Sequence, residues 1–182
     1  MNKNSESIIL FDSISDLDDL DKISSKHTSK IISFDYDTHN ILKDKKINHQ
    51  TSDNYLSKND LKIIQKTAYS ISEWYSSDVI SKDISYKGVN LGSLVKAELI
   101  NILVNYIKKF FELYKISNHF TDSTFIGSQT CCKIMKNFSK KINEFKNSKT
   151  EDLQQFPLDS IKIKMKIGTR NHSMEFGISK NL

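Results

Sequence analysis

Arginine is almost missing from this chain. Arg170 is the only one, so the net charge of +5 and the isoelectric point near 9.0 are carried by lysine. Bidentate recognition of phosphate or guanine favours the planar arginine fork. Without an arginine cluster or an aromatic–basic module, direct nucleic-acid binding is not expected. Proline occurs once, at Pro157, and glycine five times, which leaves little material for long linkers and puts any boundary in the polar stretches. The two cysteines, Cys131 and Cys132, are adjacent, so neither a disulfide framework nor a paired-cysteine zinc site can be assembled. That usage agrees with a reducing cytoplasm. The opening MNKNSESIILFDS lacks the apolar core of a signal peptide, its hydrophobic run being only Ile8 to Phe11.

What is present suits a globular chain of 182 residues, with 37% hydrophobic and 10% aromatic side chains. The longest periodic stretch is Gly92 to Lys115, where Leu94, Leu99, Ile102, Leu103, Tyr106, Ile107, Phe110, Leu113 and Tyr114 recur at helical steps. Val95, Val104 and Phe111 widen the stripe, which predicts a core helix covered on more than one side. Its interspersed lysines, glutamate and asparagines exclude a membrane span of about 20 apolar residues.

Before it, Ser7–Phe11 and Lys30–Phe34 are short apolar runs that each end at an acid, the form of strands buried on both faces. Ser15–Asp21 and Thr38–Asp44 follow them as short helices, and Ile47–Gln50 is a candidate third strand. This rhythm predicts a parallel sheet with right-handed crossovers. Ser57 and Asp60 approximate a capping box that opens a helix to about Ser76, with Leu61, Ile64, Ala68, Ile71 and Tyr75 on its stripe and Trp74 extending it. Ser77–Gly88 reads as a polar connection. Further on, Asp122–Ile126 is expected as another parallel strand, Gly127–Thr130 as turn and cap, and Cys131–Phe145 as a helix. At the end, Ile161, Ile163, Met165 and Ile167 alternate with lysines, and Met174, Phe176 and Ile178 alternate again after a Gly168–Asn171 turn, which predicts an antiparallel hairpin. The fold class is therefore α/β: a Rossmann-like, mainly parallel sheet flanked by helices. The expected organisation is a single domain over 1–182, with an α/β core over 1–156 and a terminal hairpin over 157–182.

In an open α/β sheet, ligands bind beyond the carboxyl ends of the strands, where the strand order reverses. That rule selects Asp12 and Ser13, then Asp35, then Gly127 and Ser128. Asp12 and Asp35 are candidates for a general base or for holding a sugar hydroxyl; strand-end acids also serve as helix N-caps. Gly88, Asn90, Gly92 and Ser93 precede the long helix and either start it permissively or offer backbone N–H groups to an anion or sugar. His39 and His49 have no neighbouring ligand in sequence, and His27, His119 and His172 are equally isolated, so no metal is expected. Neither a GxGxxG, a P-loop nor a GxSxG elbow occurs, and no cofactor is expected.

The series IILFDSISDLDDL, KIISFDYDTHNIL, YLSKNDLKIIQKTAYSISEWY and ISYKGVNLGSLVKAEL resembles the N-terminal half of two-domain, GT-B-like glycosyltransferases of surface carbohydrates, and IKIKMKIGTRNHSMEFGIS is similar to their middle segment. The resemblance implies an N-terminal domain that receives a sugar or polysaccharide acceptor, with a second domain needed to grip the nucleotide sugar. It implies a cytoplasmic enzyme of cell-surface polysaccharide synthesis, in peripheral contact with the inner face of the membrane. On that reading Asp12 and Asp35 are catalytic candidates, and Ser13, Gly88, Asn90, Gly92, Ser93, Gly127 and Ser128 bind substrate. The chain ends before a second domain, so activity of the isolated chain is not expected. The competing expectation is a non-catalytic interaction or regulatory domain that keeps only the scaffold.

Overall fold

The computed structural model describes residues 6–12, 29–145, 160–167 and 170–177; the side chains of Asp78, Val79 and the last two segments are outside the description. Ser13 and the Ser15–Asp21 helix lie outside the described residues, as do Gly168 and Thr169 of the expected turn. The chain divides into two compact units, one built from 1–49 and 122–182 and the other from 50–121.

The first unit holds four of the five strands of the parallel sheet. Its strands are β1 (Ser7–Phe11) and β2 (Ser29–Ser33), then β6 (Thr124–Gly127) and β7 (Ile142–Glu144) after the second unit has been threaded. The sheet order is β3-β2-β1-β6-β7, where β3 is the two-residue strand Gln50–Thr51. Ladders β1–β2, β1–β6 and β6–β7 are all parallel. Ile8, Ile9, Leu10 and Phe11 are buried without alternation because β1 is covered on both faces, which is why the run reads as continuously apolar. One face of the sheet packs Ile9, Phe11 and Ile31 with Leu42 and Phe145, and the Phe11 and Phe145 rings stack 5.4 Å apart.

Helix α1 (Tyr36–Asp44) follows β2. It ends in a Schellman motif: Ile47 N–H bonds to Leu42 O and Lys46 N–H to Lys43 O, with Lys46 at a φ of 55°. Ile47, expected in a strand, is therefore the apolar residue that closes this cap against the Leu42 cluster, and the strand begins only at Gln50.

The second unit is helical. Helix α2 (Lys58–Ser72) carries a complete capping box between Ser57 and Asp60 and packs along the long helix α5 (Lys96–His119). Both helices depart from the expected bounds. After Ser72 the chain forms a 3₁₀ turn, Trp74–Ser76, and Trp74 is half exposed instead of extending the stripe. Leu61 is exposed as well, and the buried stripe runs Asp60, Ile64, Ala68, Ser72. The supposed polar connection contains α3 (Asp78–Asp83) and a hairpin of β4 (Ser85–Tyr86) and β5 (Val89–Asn90). The core helix starts late, because Leu91–Leu94 forms a separate single turn, α4, and Leu94 and Val95 stand in solvent. Burial along α5 is concentrated in its second half, from Leu103 to Ser117.

The largest correction concerns Cys131–Phe145. Helix α6 spans only Gln129–Met135, and Ile142–Glu144 is a parallel strand. The Asn137 side-chain amide donates to Ile134 O, and Phe138 and Ser139 N–H both reach Met135 O, which closes the helix before Lys140 and Lys141. The terminal hairpin forms as expected from β8 (Ser160–Ile167) and β9 (Arg170–Gly177), with Ile161, Ile163 and Met165 in register with Phe176, Met174 and His172.

Candidate functional site

From β1 the chain proceeds to β2 on one side, and returns on the other side of β1 as β6 and β7. The order reverses between β1 and β6, which makes the carboxyl ends of these two strands the topological switch point. Leu10 is in register with Gly127, so Phe11 and Ser128 come next and Asp12 follows one residue later at the same end of the sheet. A Cβ on Gly127 would sit 3.2 Å from Leu10 Cβ and 3.3 Å from its carbonyl oxygen; glycine lets the end of β6 close onto β1. Ser128 caps α6, its Oγ accepting from Cys131 N–H at 3.2 Å. Cys131, buried one turn into that helix, directs its thiol at Asp12 Oδ2, 3.4 Å away. Cys132 turns the opposite way, towards the carbonyls of Gly127 and Asn143, and burial pushes its thiol up to about 11. It is a packing residue, unreactive at neutral pH.

Asp35 lies one strand further along. Phe34 N–H still bonds to Phe11 O, which extends the β1–β2 ladder by one step. The Asp35 side chain then caps α1, Oδ1 accepting from Thr38 N–H at 2.7 Å. Its other oxygen, Oδ2, is buried without a hydrogen-bond partner, and so is Thr38 Oγ1. An unpaired acceptor and an unpaired hydroxyl in one cap are uncommon in protein interiors, because each costs on the order of 1–3 kcal/mol. Asp12, Gly127 and Ser128 thus share one corner of the sheet, with Asp35 at the next strand end.

Gly88, Asn90, Gly92 and Ser93 form a separate arrangement in the second unit. Lys87 and Gly88, at φ 49° and 80°, make the two-residue turn between β4 and β5, with the positive φ at both positions that a type I′ turn needs. Asn90 Oδ1 accepts from Gly92 N–H at 2.9 Å, and its amide donates to Ser81 Oγ at 3.0 Å. Ser93 Oγ donates to Asn90 O at 2.6 Å. Gly92 is buried against Tyr75 so closely that an added Cβ would meet Tyr75 Cβ at 2.5 Å. The polar groups of this motif are spent on a hairpin, a cap and a close approach.

Two clusters escape sequence inspection. In the second unit Glu112, deeply buried, accepts from Ser52 Oγ at 2.8 Å and faces Lys108 at 3.3 Å, while Lys108 also reaches Asp53 at 2.8 Å. Burial raises the Glu112 carboxyl above the usual range despite Lys108 and Ser52. An acid inside the run Phe110-Phe111-Glu112-Leu113 was the available signal. In the first unit His39 and His49, ten residues apart and apparently isolated, stand with Nδ1 and Nε2 2.8 Å apart. Only the Schellman turn at Lys46 brings them together, and no spacing rule reveals it.

The chain matches no protein-family model, no curated protein and no solved structure. The fold is α/β, a five-stranded parallel sheet flanked by helices, with the reversal of strand order between β1 and β6. Among the described residues no helix is long and apolar enough to cross a membrane.

Proposed function

We propose that this chain is the acceptor-side domain of a glycosyltransferase of cell-surface polysaccharide synthesis, transferring from a nucleotide sugar held by a second α/β domain. The observation that carries this reading is the switch point, with Asp12, Gly127 and Ser128 at its two central strand ends and Asp35 beside them. Asp12 takes the proton of the acceptor hydroxyl as its oxygen attacks the anomeric carbon and the nucleotide leaves. Asp35, which caps α1 at the next strand end, is the second carboxylate assigned to hold the acceptor hydroxyl. The reaction is placed in the cytoplasm, at the inner membrane face.

A second reading, a non-catalytic interaction domain, is favoured by the concentration of exposed apolar side chains over 74–95: Trp74, Tyr86, Val89, Leu91, Leu94 and Val95. Titration of the chain with surface-polysaccharide oligosaccharides, followed by NMR, separates the two. The transferase reading expects saturable shifts at the ends of β1, β2 and β6. Asp35→Ala should weaken binding tenfold or more; Asp12→Asn should keep binding and lose transfer once the donor-binding domain is supplied. A folded chain that binds no saccharide refutes the transferase reading, and wild-type turnover from both variants removes the roles given to Asp12 and Asp35.

A further inference from the structure

We propose that His39 and His49 form a chelating site for a borderline divalent transition metal, of the Ni(II), Cu(II) or Zn(II) class. His39 sits one turn into α1 and His49 follows the Schellman turn, both half-buried, so the two rings are held by one helix and its own cap. The Nδ1 of His49 lies 2.8 Å from Ile47 O, which makes it the protonated nitrogen and leaves the lone pair on Nε2, facing His39. A backbone carbonyl fixing the tautomer in this way is the usual outer-shell arrangement of a metal-ligating histidine.

The spacing fits. With metal–nitrogen bonds of about 2.0 Å, two imidazoles place their ring centroids about 4.5 Å apart at a right angle and about 5.1 Å apart at the tetrahedral angle. The observed centroids are 4.9 Å apart, with the rings inclined at 60°. The centroid separation already lies within that range, and binding requires the rings to turn so that both facing lone pairs converge on the metal. In the neutral pair, His39 Nδ1–H donates to His49 Nε2. On binding, that proton moves to His39 Nε2 through solvent, both facing nitrogens become ligands, and the pair neither gains nor loses a proton. Among the described residues no group of three or more His, Cys, Asp or Glu side chains gathers around one point, so water completes the coordination shell and the metal exchanges readily. A bound ion would strap the last residues of the first unit's opening segment, 45–49, to the body of α1.

Ni(II) is the probe of choice, because it does not oxidise the free thiols of Cys131 and Cys132. Calorimetric titration of the full chain should show a site whose affinity drops at least tenfold in His39→Ala and in His49→Ala. On the wild-type chain, long-range ¹H–¹⁵N spectra of the imidazoles should show the His39 and His49 signals broadened by sub-stoichiometric Ni(II) before those of His27, His119 and His172. This second measurement stands even if a variant misfolds. Equal affinity in folded variants, or earlier broadening of another histidine, overturns the proposal.

Discussion

Replacing Gly92 with alanine separates the two meanings of the Gly88–Ser93 motif. The new Cβ would lie 2.5 Å from Tyr75 Cβ, 2.6 Å from Cγ and 2.9 Å from Cδ1, all nearer than side-chain carbons tolerate. The nearest neighbour is a Cβ, tied to the backbone, so a rotamer change cannot relieve it. Overpacking of this kind costs about 3 kcal/mol, the upper part of the usual range. Against it, alanine gains about 0.5–1 kcal/mol by restricting the unfolded chain, since Gly92 does not have a positive φ. The expected net loss is about 2 kcal/mol, or about 4–8 °C in Tm for a chain of this size. Urea unfolding followed by Trp74, the only tryptophan and a neighbour of Tyr75 in ring contact, reads it out. The cycle with Tyr75 makes the test specific. Tyr75→Gly removes the clashing Cβ and should recover most of the loss, whereas Tyr75→Ala retains that Cβ and should recover little. A Gly92→Ala chain as stable as the parent, or strict additivity with Tyr75→Gly, refutes the packing explanation; binding lost at unchanged stability would restore the cradle reading.

Lys46 occupies the left-handed region at φ 55° as the C′ residue of α1, so Lys46→Gly should raise stability by about 0.5–1 kcal/mol in the same urea assay. Asp60 feels burial pushing its carboxyl up, but hydrogen bonds from Ser57 and Lys115 outweigh it and hold the folded value below the usual aspartate range. Its contribution is therefore present above the unfolded value and is lost as pH falls through the folded one. Asp60→Asn should cost about 1–2 kcal/mol at neutral pH and flatten the acid limb of the stability profile. Glu112 has the opposite sign: burial raises its folded value, so stability falls as pH rises through it. Glu112→Gln should be neutral or stabilising by up to about 1 kcal/mol at pH 7, with the difference vanishing in acid; a loss of about 3 kcal/mol or more would mean the ion pair with Lys108 outweighs its desolvation.

Some of this was legible in the sequence for identifiable reasons. Ser7–Phe11 and Lys30–Phe34 announced themselves because strands covered on both faces are mostly apolar, and the acids that follow them marked their carboxyl ends. The Ser57–Asp60 box and the alternation over 161–167 are local signals, and the local structure follows them. The Ile134, Met135, Phe138, Ile142, Phe145 spacing misled because a short helix followed by a short strand mimics a helical period when both press on one core. Leu94 and Val95 misled because apolar residues can stand in solvent. The switch point itself required knowing that β6 returns beside β1, a fact that rests on pairing between distant residues. The same holds for the Cys131–Asp12 contact, whereas the His39–His49 pair depends on the geometry of one local turn.

The insertion of 50–121 between the two sequence segments of the first unit has a consequence for biogenesis. Ser7 pairs with Thr124, so β1 leaves the ribosome with one neighbour available and must wait for the whole of 50–121 before the other exists. The delay costs little at equilibrium, since loop-closure entropy grows only by about 0.6 kcal/mol per doubling of length. It matters for kinetics: a strand of Ser-Ile-Ile-Leu-Phe keeps an open edge until β6 emerges, ready to join another nascent chain. A helical unit that forms before β6 emerges replaces a long flexible connection with a compact one and shortens the wait. Slowing translation after the second unit should then raise the yield of soluble chain, and mutations that weaken α2 against α5 should surface first as aggregation seeded by β1.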